Sequence, residues 1–325
     1  MPRYVANNKQ TMLEECDGQK ANGDGRIMTD ETLPAAPPPS AFHVDLTNPK
    51  DHIVDALIKE RCPGFVSHWT WPITKPVLYA LLGYGKARHL ADQVAVMTGR
   101  ESFDHLAQQL SVDLTLHQIG KIPKTGRLVV AANHPTGLAD GVAVWDALSK
   151  VRRDIVFLAN ADAFRVNPNF SDAIIPVEWV EAKRSPTKTR ETLRLAKQAF
   201  LDEKCVVIFP SGKLAKKIDG VLIEHDWMPT VVSLARKYKA PIQPLNLRAE
   251  NSWLYYALTR LSGELRDITL FNELLNKKNA PFEMTFGPLI APERLSGDAN
   301  AITTALRDYV TQKLADDPQI AFSDL

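Results

Sequence analysis

The chain is short of cysteine, of net charge and of long apolar runs, and each shortage excludes something. Its three cysteines (Cys16, Cys62, Cys205) are far apart and form no C-x-x-C pair, which excludes a disulfide framework and fits a reducing compartment. The histidines other than His134 (His43, His52, His68, His89, His105, His117, His225) lack metal-ligand spacing, and H-E-x-x-H is absent, so no metal cofactor is expected. A formal charge of +1 argues against a nucleic-acid binder. No G-x-S-x-G elbow marks a serine hydrolase. No stretch reaches the ~18–20 apolar residues that span a bilayer. The nearest candidate, Trp69 to Tyr84, is broken by Pro72, Lys75 and Pro76. The N-terminus shows no signal-peptide apolar region, so a soluble or peripheral cytoplasmic protein is expected.

What is present is ordinary globular composition, 45% hydrophobic and 24% charged, enough for a sizeable core. Residues 1–45 are rich in Asn, Asp, Gly and Pro and end near PAAPPPS, which reads as a disordered arm. Residues 46–118 carry helical patterns and form a helical N-terminal segment. From 119 to 325 the rhythm changes. Short apolar runs at 126–132, 154–160, 173–180, 204–210, 241–247 and 282–287 alternate with helical stretches at 138–150, 187–203, 228–238 and 298–315. Continuous apolar strands separated by helices predict an α/β fold with a mainly parallel central sheet flanked by helices.

Two segments carry candidate chemistry. The first, Asn133-His134-Pro135-Thr136-Gly137-Leu138-Ala139-Asp140, follows a predicted strand. A carboxylate that fixes an imidazole tautomer makes the ring a general base. Six helical positions rotate the chain by about 600°, so His134 and Asp140 meet only if the segment is a turn that becomes a helix. Pro135 and Gly137 are residues that turns use. The alternative is a plain turn in which Asp140 starts a helix and His134 is an ordinary loop residue. The second segment, Phe209-Pro210-Ser211-Gly212-Lys213, also ends a strand and is followed by Lys216 and Lys217. A Gly, a hydroxyl and three lysines at the carboxyl end of a parallel strand suit an anion. It is no P-loop, lacking the upstream Gly and the Ser/Thr after Lys. The alternative is a solvated basic loop.

In order and spacing, the two motifs resemble the first and third blocks of the PlsC-like glycerolipid and lysophospholipid acyltransferase family. That family's first block is usually N-H-x4-D. NHPTGLAD has one extra residue and resembles the N-H-P-x-G-x-x-D-G variant of the branch that includes hemolysin-like and lyso-ornithine-lipid acyltransferases. The third block, usually F-P-E-G, appears as FPSG, and APIQPLNL resembles the fourth, so the likeness covers roughly 120–290. It implies transfer of a fatty acyl group from acyl-CoA or acyl carrier protein to a lysophospholipid or lyso-ornithine-lipid hydroxyl, as in 1-acylglycerol-3-phosphate O-acyltransferases. His134 would be the base and Asp140 its partner. Asn133, Gly137, Phe209, Pro210, Ser211, Gly212 and Lys213 would bind substrate, with Gly212 and neighbouring backbone N–H groups candidates for binding the acceptor or steadying the oxyanion. Ser211 departs from the family's Glu. The second-block arginine is Arg184 or Arg190. Competing readings are an acyltransferase for a non-lipid acceptor and a non-catalytic lipid-binding protein of the same fold.

Local charge fits these expectations. Lys183 to Lys217 contains ten basic and three acidic residues, a balance of +7, suited to coenzyme A phosphates, an acidic carrier or anionic headgroups. Amphipathic aromatics are enriched at membrane interfaces, and Trp69, Trp71, Tyr79 and Tyr84 are placed to sit there. Core packing of the helical segment, or covering an acyl-chain tunnel, are the other readings. Together they predict peripheral attachment to the inner face of a membrane.

Overall fold

The computed structural model describes residues 40–42 and 51–322. Most of the expected arm, 1–45, lies outside the described residues. Within it, Phe42 of a short 3-10 turn is buried.

Five helices come first: α1 (Ile53–Arg61), α2 (Pro63–Ser67), α3 (Trp71–Leu81), α4 (Tyr84–Val94) and α5 (Gly99–Leu110). The α/β part follows with β1 (Asp113–His117), β2 (Leu128–Ala132), α6 (Leu138–Ser149), β3 (Ile155–Asn160), α7 (Ala163–Val166), β4 (Ile174–Val177), α8 (Pro186–Leu201) and β5 (Cys205–Ile208). A small antiparallel hairpin, β6 (Lys216–Ile218) and β7 (Val221–Ile223), precedes α9 (Thr230–Tyr238) and β8 (Ile242–Arg248). Helices α10 (Trp253–Leu261) and α11 (Gly263–Leu275), strand β9 (Pro281–Phe286) and α12 (Ala299–Asp308) complete it.

Seven strands form one sheet in the order β1-β9-β8-β2-β5-β3-β4. All neighbours run parallel except β8 and β9. The fold is the expected α/β arrangement, a mostly parallel sheet flanked by helices. Strands β2 and β5 are buried throughout, which explains their unbroken apolar sequence. Alternate residues serve opposite faces. Leu128, Val130 and Ala132 pack with α6 in one core, while Val129 and Ala131 pack with α8, α9 and α12 in the other.

Two features depart from the sequence reading. Strand β1 lies inside the segment expected to be helical through 118, and it pairs with β9. It is an edge strand with no fully buried residue, so its DLTLH alternation resembles the tail of the preceding amphipathic helix. The aromatic cluster, in turn, divides. Trp71 is buried, and the Tyr79 and Tyr84 hydroxyls donate to the buried Asp55 carboxylate, which Lys75 approaches at 3.1 Å. Trp69, 78% exposed, instead stands in the turn before α3, whose Ile73, Val77 and Leu81 are exposed along its outer face. That i, i+4, i+8 spacing is one helix face.

The helical layer is tied to the sheet's carboxyl end by ion pairs. Arg61 meets Asp162 at 2.9 Å, and Glu60 meets Arg165 at 2.6 Å and Lys183 at 2.8 Å. The hydrogen-bonded Arg165 guanidinium, followed by Lys183, holds the Glu60 carboxyl down at about 2. A depressed carboxylate adds stability above its unfolded value, about 4.3, that is lost as pH falls through the folded value. Because the Glu60 side chain is 43% exposed, solvent screening reduces the effect to about 1 kcal/mol. Glu60→Gln is expected to lower urea-unfolding stability by that much at pH 7, with the gap narrowing from pH 4 towards pH 2. A gap that stays constant over that range would rule out the charge as its cause.

Candidate active site

The site is built at the carboxyl end of β2. Asn133, the first residue beyond the strand, is buried, and its amide makes two bonds to β8: Nδ2 donates to Leu247 O at 2.9 Å and Oδ1 accepts Leu247 N at 2.7 Å. This holds the strand end to its neighbour. Asn133, expected among substrate-binding residues, acts as a structural brace.

The next residues turn and then become helix. Gly137 has φ +96°, a conformation open to glycine, and α6 begins at Leu138. The turn brings Asp140 back under His134, with Nδ1 at 2.8 Å from Oδ2. His134 and Asp140 therefore form a pair, as the turn-to-helix reading required. Asp140 has no exposed surface. Its Oδ2 also accepts from Thr136 N at 2.8 Å and Gly137 N at 2.9 Å, and the Thr136 hydroxyl donates to Oδ1. Asp140 lies in the first turn of α6, where the helix dipole favours negative charge.

The imidazole is held on its other sides as well. Phe209, at the end of β5, stacks on it with centroids 4.3 Å apart at 21°. His134 O accepts Ala215 N at 2.9 Å, and His134 N donates to Glu224 Oε2 at 3.1 Å. The side chain keeps 17% of its surface exposed. With Nδ1 on Asp140, Nε2 is the nitrogen left for a substrate proton.

The second motif packs beside the first. Pro210 is buried and its carbonyl accepts Met228 N at 3.0 Å. Ser211 is buried and its hydroxyl donates to Lys213 O at 2.9 Å. Gly212 N donates to Phe209 O at 3.0 Å, closing a turn, so this N–H is not the free oxyanion donor expected of it. Gly212 has φ +58°, and the Trp179 indole lies so close that a Cβ there would come within 2.0 Å of the ring. Phe209 and Pro210, expected to touch substrate, support the imidazole and the turn.

Of the three lysines, Lys217 pairs with Glu250 at 2.6 Å and lies over the Tyr256 ring. Lys213 and Lys216 are exposed, with no carboxylate within salt-bridge range among the described residues. Arg184 donates to the Glu178 and Trp179 carbonyls at 3.2 and 3.3 Å, which connects Arg184, rather than Arg190, to the loop covering Gly212. Exposed apolar side chains crowd these loops: Leu138, Val180, Ile218, Val221, Ile223 and Met228. The sequence reading missed Thr136, Trp179 and Glu224. Thr136 was visible inside the motif, whereas Trp179 and Glu224 come from other loops and carry no local signal.

A hydrogen-bonded imidazole and carboxylate at the carboxyl edge of a largely parallel sheet form an arrangement that can take up a proton. The Acyltransferase family model matches residues 113–248, which run from β1 through β8. Two curated relatives are lyso-glycine lipid O-acyltransferases, from Phocaeicola vulgatus and Bacteroides thetaiotaomicron, 22% and 21% identical over 185 residues. The matches cover 55% of this chain and 64% and 66% of those proteins, just under two thirds of their length. The crystal structure of the 1-acyl-sn-glycerophosphate acyltransferase PlsC from Thermotoga maritima aligns with a TM-score of 0.44 at 15% identity, over 80% of this chain and 97% of that one.

Gly137→Ala is expected to cost about 1–3 kcal/mol, because alanine resists φ +96° and its methyl would meet Leu214 at 2.9 Å. It also disturbs an N–H donor to Asp140. Urea unfolding checks the cost, and wild-type stability would mean that the turn relaxes freely.

Proposed function

We propose that the chain moves a fatty acyl group from a thioester, acyl-CoA or acyl carrier protein, to the hydroxyl of a lysolipid at a membrane surface. The observation that carries this reading is the 2.8 Å contact between His134 Nδ1 and buried Asp140, which aims Nε2 outward. In the step, Nε2 takes the acceptor's hydroxyl proton as its oxygen attacks the thioester carbonyl. The tetrahedral oxyanion collapses, the C–S bond breaks, and the thiolate leaves with the proton from the imidazolium. An ester and a free thiol result, with no acyl-enzyme. Asp140 fixes the tautomer and offsets the imidazolium charge while it exists. No separate cofactor is needed.

The acceptor class follows the relatives, whose names specify a lyso-glycine lipid. A lysophospholipid or lyso-ornithine lipid likewise offers a free hydroxyl, on glycerol in the one and on the amide-linked acyl chain in the other. Lys213 and Lys216, exposed and without a carboxylate partner among the described residues, suit an anionic headgroup or the phosphates of coenzyme A. Membrane attachment is supported by the exposed stripe of Trp69, Ile73, Val77 and Leu81. No helix among the described residues is long and apolar enough to cross a bilayer.

His134→Ala is expected to lower turnover by about 10²–10⁴ with folding intact, since positioned acid–base groups contribute that much. Asp140→Asn is expected to fall within the same range, because the imidazolium loses its counter-charge. Both are read as thiol release from acyl-CoA or acyl carrier protein against a panel of lysolipids. Wild-type turnover in His134→Ala would remove His134 from the mechanism. Ile73→Asp with Val77→Asp is expected to abolish sedimentation with anionic vesicles while leaving turnover of a detergent-dispersed acceptor unchanged, and undiminished sedimentation would refute attachment through α3.

A further inference from the structure

We propose that Glu224 is a positioning residue of this site, a carboxylate delivered after the β6–β7 hairpin that holds the His134 backbone from behind and stands in for the carboxylate absent at Ser211. The inference rests on the acyl-transfer reading above and adds a residue to it.

Glu224 reaches three separate segments. Oε2 accepts the His134 amide at 3.1 Å, and Oε1 accepts Trp227 Nε1 at 3.2 Å. The Ser211 side chain lies near the same carboxylate, with its hydroxyl donating to Lys213 O. One side chain thus joins the loop after β2, the loop after β5 and the approach to α9. The adjoining segment holds the other backbone group of His134 through Ala215 N, at 2.9 Å from His134 O. Asp140 fixes the ring, and Glu224 with Ala215 fixes the backbone that carries the ring.

A scaffold alone does not require a charge here. An amide oxygen would accept the same N–H groups without the penalty of withdrawing a carboxylate from water, which falls on the charged form. Burial does push the Glu224 carboxyl upward, opposed by Ser211, His134 and Trp227 beside it. Nor does the side chain pair with the exposed Lys213, before the hairpin, or Lys216, in β6. The charged and titratable groups near it include His134, whose ring is paired with Asp140, while Lys213, Lys216 and Asp226 act on its chain neighbour His225. Among these, the group whose charge changes in the proposed reaction is His134. In the family pattern F-P-E-G a Glu occupies the position held here by Ser211. In this chain the carboxylate reaches that position from the hairpin side.

The test uses the full chain with Glu224→Ala, Glu224→Gln and the double variant Glu224→Ala with Ser211→Glu. Two readouts are taken: kcat and KM for acyl-CoA and a lysolipid, and NMR exchange of the His134 amide. A displaced base costs on the order of tenfold or more in rate. Glu224→Ala is expected to lower kcat by at least about tenfold with KM values little changed, and to speed His134 amide exchange by a similar factor. Glu224→Gln, which keeps the acceptor oxygen, should protect the amide yet remain below wild type in kcat. Ser211→Glu in the Glu224→Ala background should recover part of both losses, which a generic packing contact would not allow. Wild-type kcat and wild-type amide exchange in Glu224→Ala would overturn the proposal. So would wild-type kcat in Glu224→Gln should the alanine variant fail to fold. If the wild-type chain transfers no acyl group to any lysolipid, the acyl-transfer reading fails, while amide exchange still decides whether Glu224 holds His134.

Discussion

A carboxylate with no exposed surface sits in the first turn of α6, and much of the site is arranged around satisfying it. Burying such a charge costs several kcal/mol unless hydrogen-bond donors surround it. Asp140 has four: His134 Nδ1, the Thr136 and Gly137 amides, and the Thr136 hydroxyl. Three of them come from the peptide that links the His to the Asp. The turn therefore has to bring residues 134–137 back over the helix start, and that path requires the positive φ of Gly137. The strand end must also be fixed, which Asn133 achieves through its paired bonds to Leu247. The one-residue expansion of the motif is accommodated because Pro135 and Gly137 supply the turn.

With the carboxylate satisfied, the imidazole has little freedom. Asp140 holds one nitrogen, Phe209 stacks on the ring, and the backbone on both sides of the residue is hydrogen-bonded. An imidazole so ordered would lose little entropy on reaching a reactive geometry. The second motif serves this end more than it serves binding. Phe209 packs against the base, Pro210 and Ser211 are buried, and Gly212 closes its turn beneath Trp179. Lys213 is the residue of that motif left facing solvent.

How much of this was legible depended on whether the signal was local. The apolar runs of β2, β5 and β8 are buried on both faces, so hydrophobicity alone marked them and the parallel sheet followed. His134 and Asp140 lie in one short motif whose turn residues could be read directly. Strand β1 was hidden because an edge strand buries little and its alternation merged with α5. The β6–β7 hairpin was hidden because its strands have three residues each and turn through Asp219 and Gly220 at positive φ. Glu224 and Trp179 meet the site only through tertiary packing, and no spacing rule joins residue 224 to residue 134. The aromatic cluster was ambiguous for a related reason. Composition marked it as amphipathic, but only the docking of α3 decides that Trp71, Tyr79 and Tyr84 turn inward while Trp69 turns out.

The position of the helical layer bears on how a lipid would reach His134. Ion pairs join the end of α1 to the loops after β3 and β4, through Asp162, Arg165 and Lys183. Glu264, at the start of α11, accepts the Gly64 and Phe65 amides of α2, and α10 with α11 follows directly from the end of β8. All these anchor points lie beyond the carboxyl ends of strands, where His134 also lies. The exposed stripe on α3 is thus carried by a layer fastened to the active end of the sheet. On the same end, α10 exposes Trp253 and Leu261, and the loops around the base expose Leu138, Val180, Ile218 and Val221. Exposed apolar side chains gathered at one end of a sheet suit an interaction face. An acceptor held in a bilayer has its hydroxyl near the headgroups. On the proposed reading, His134 at this end of the sheet would reach that hydroxyl without drawing the acyl chain out into water, where each exposed methylene costs about 0.8 kcal/mol.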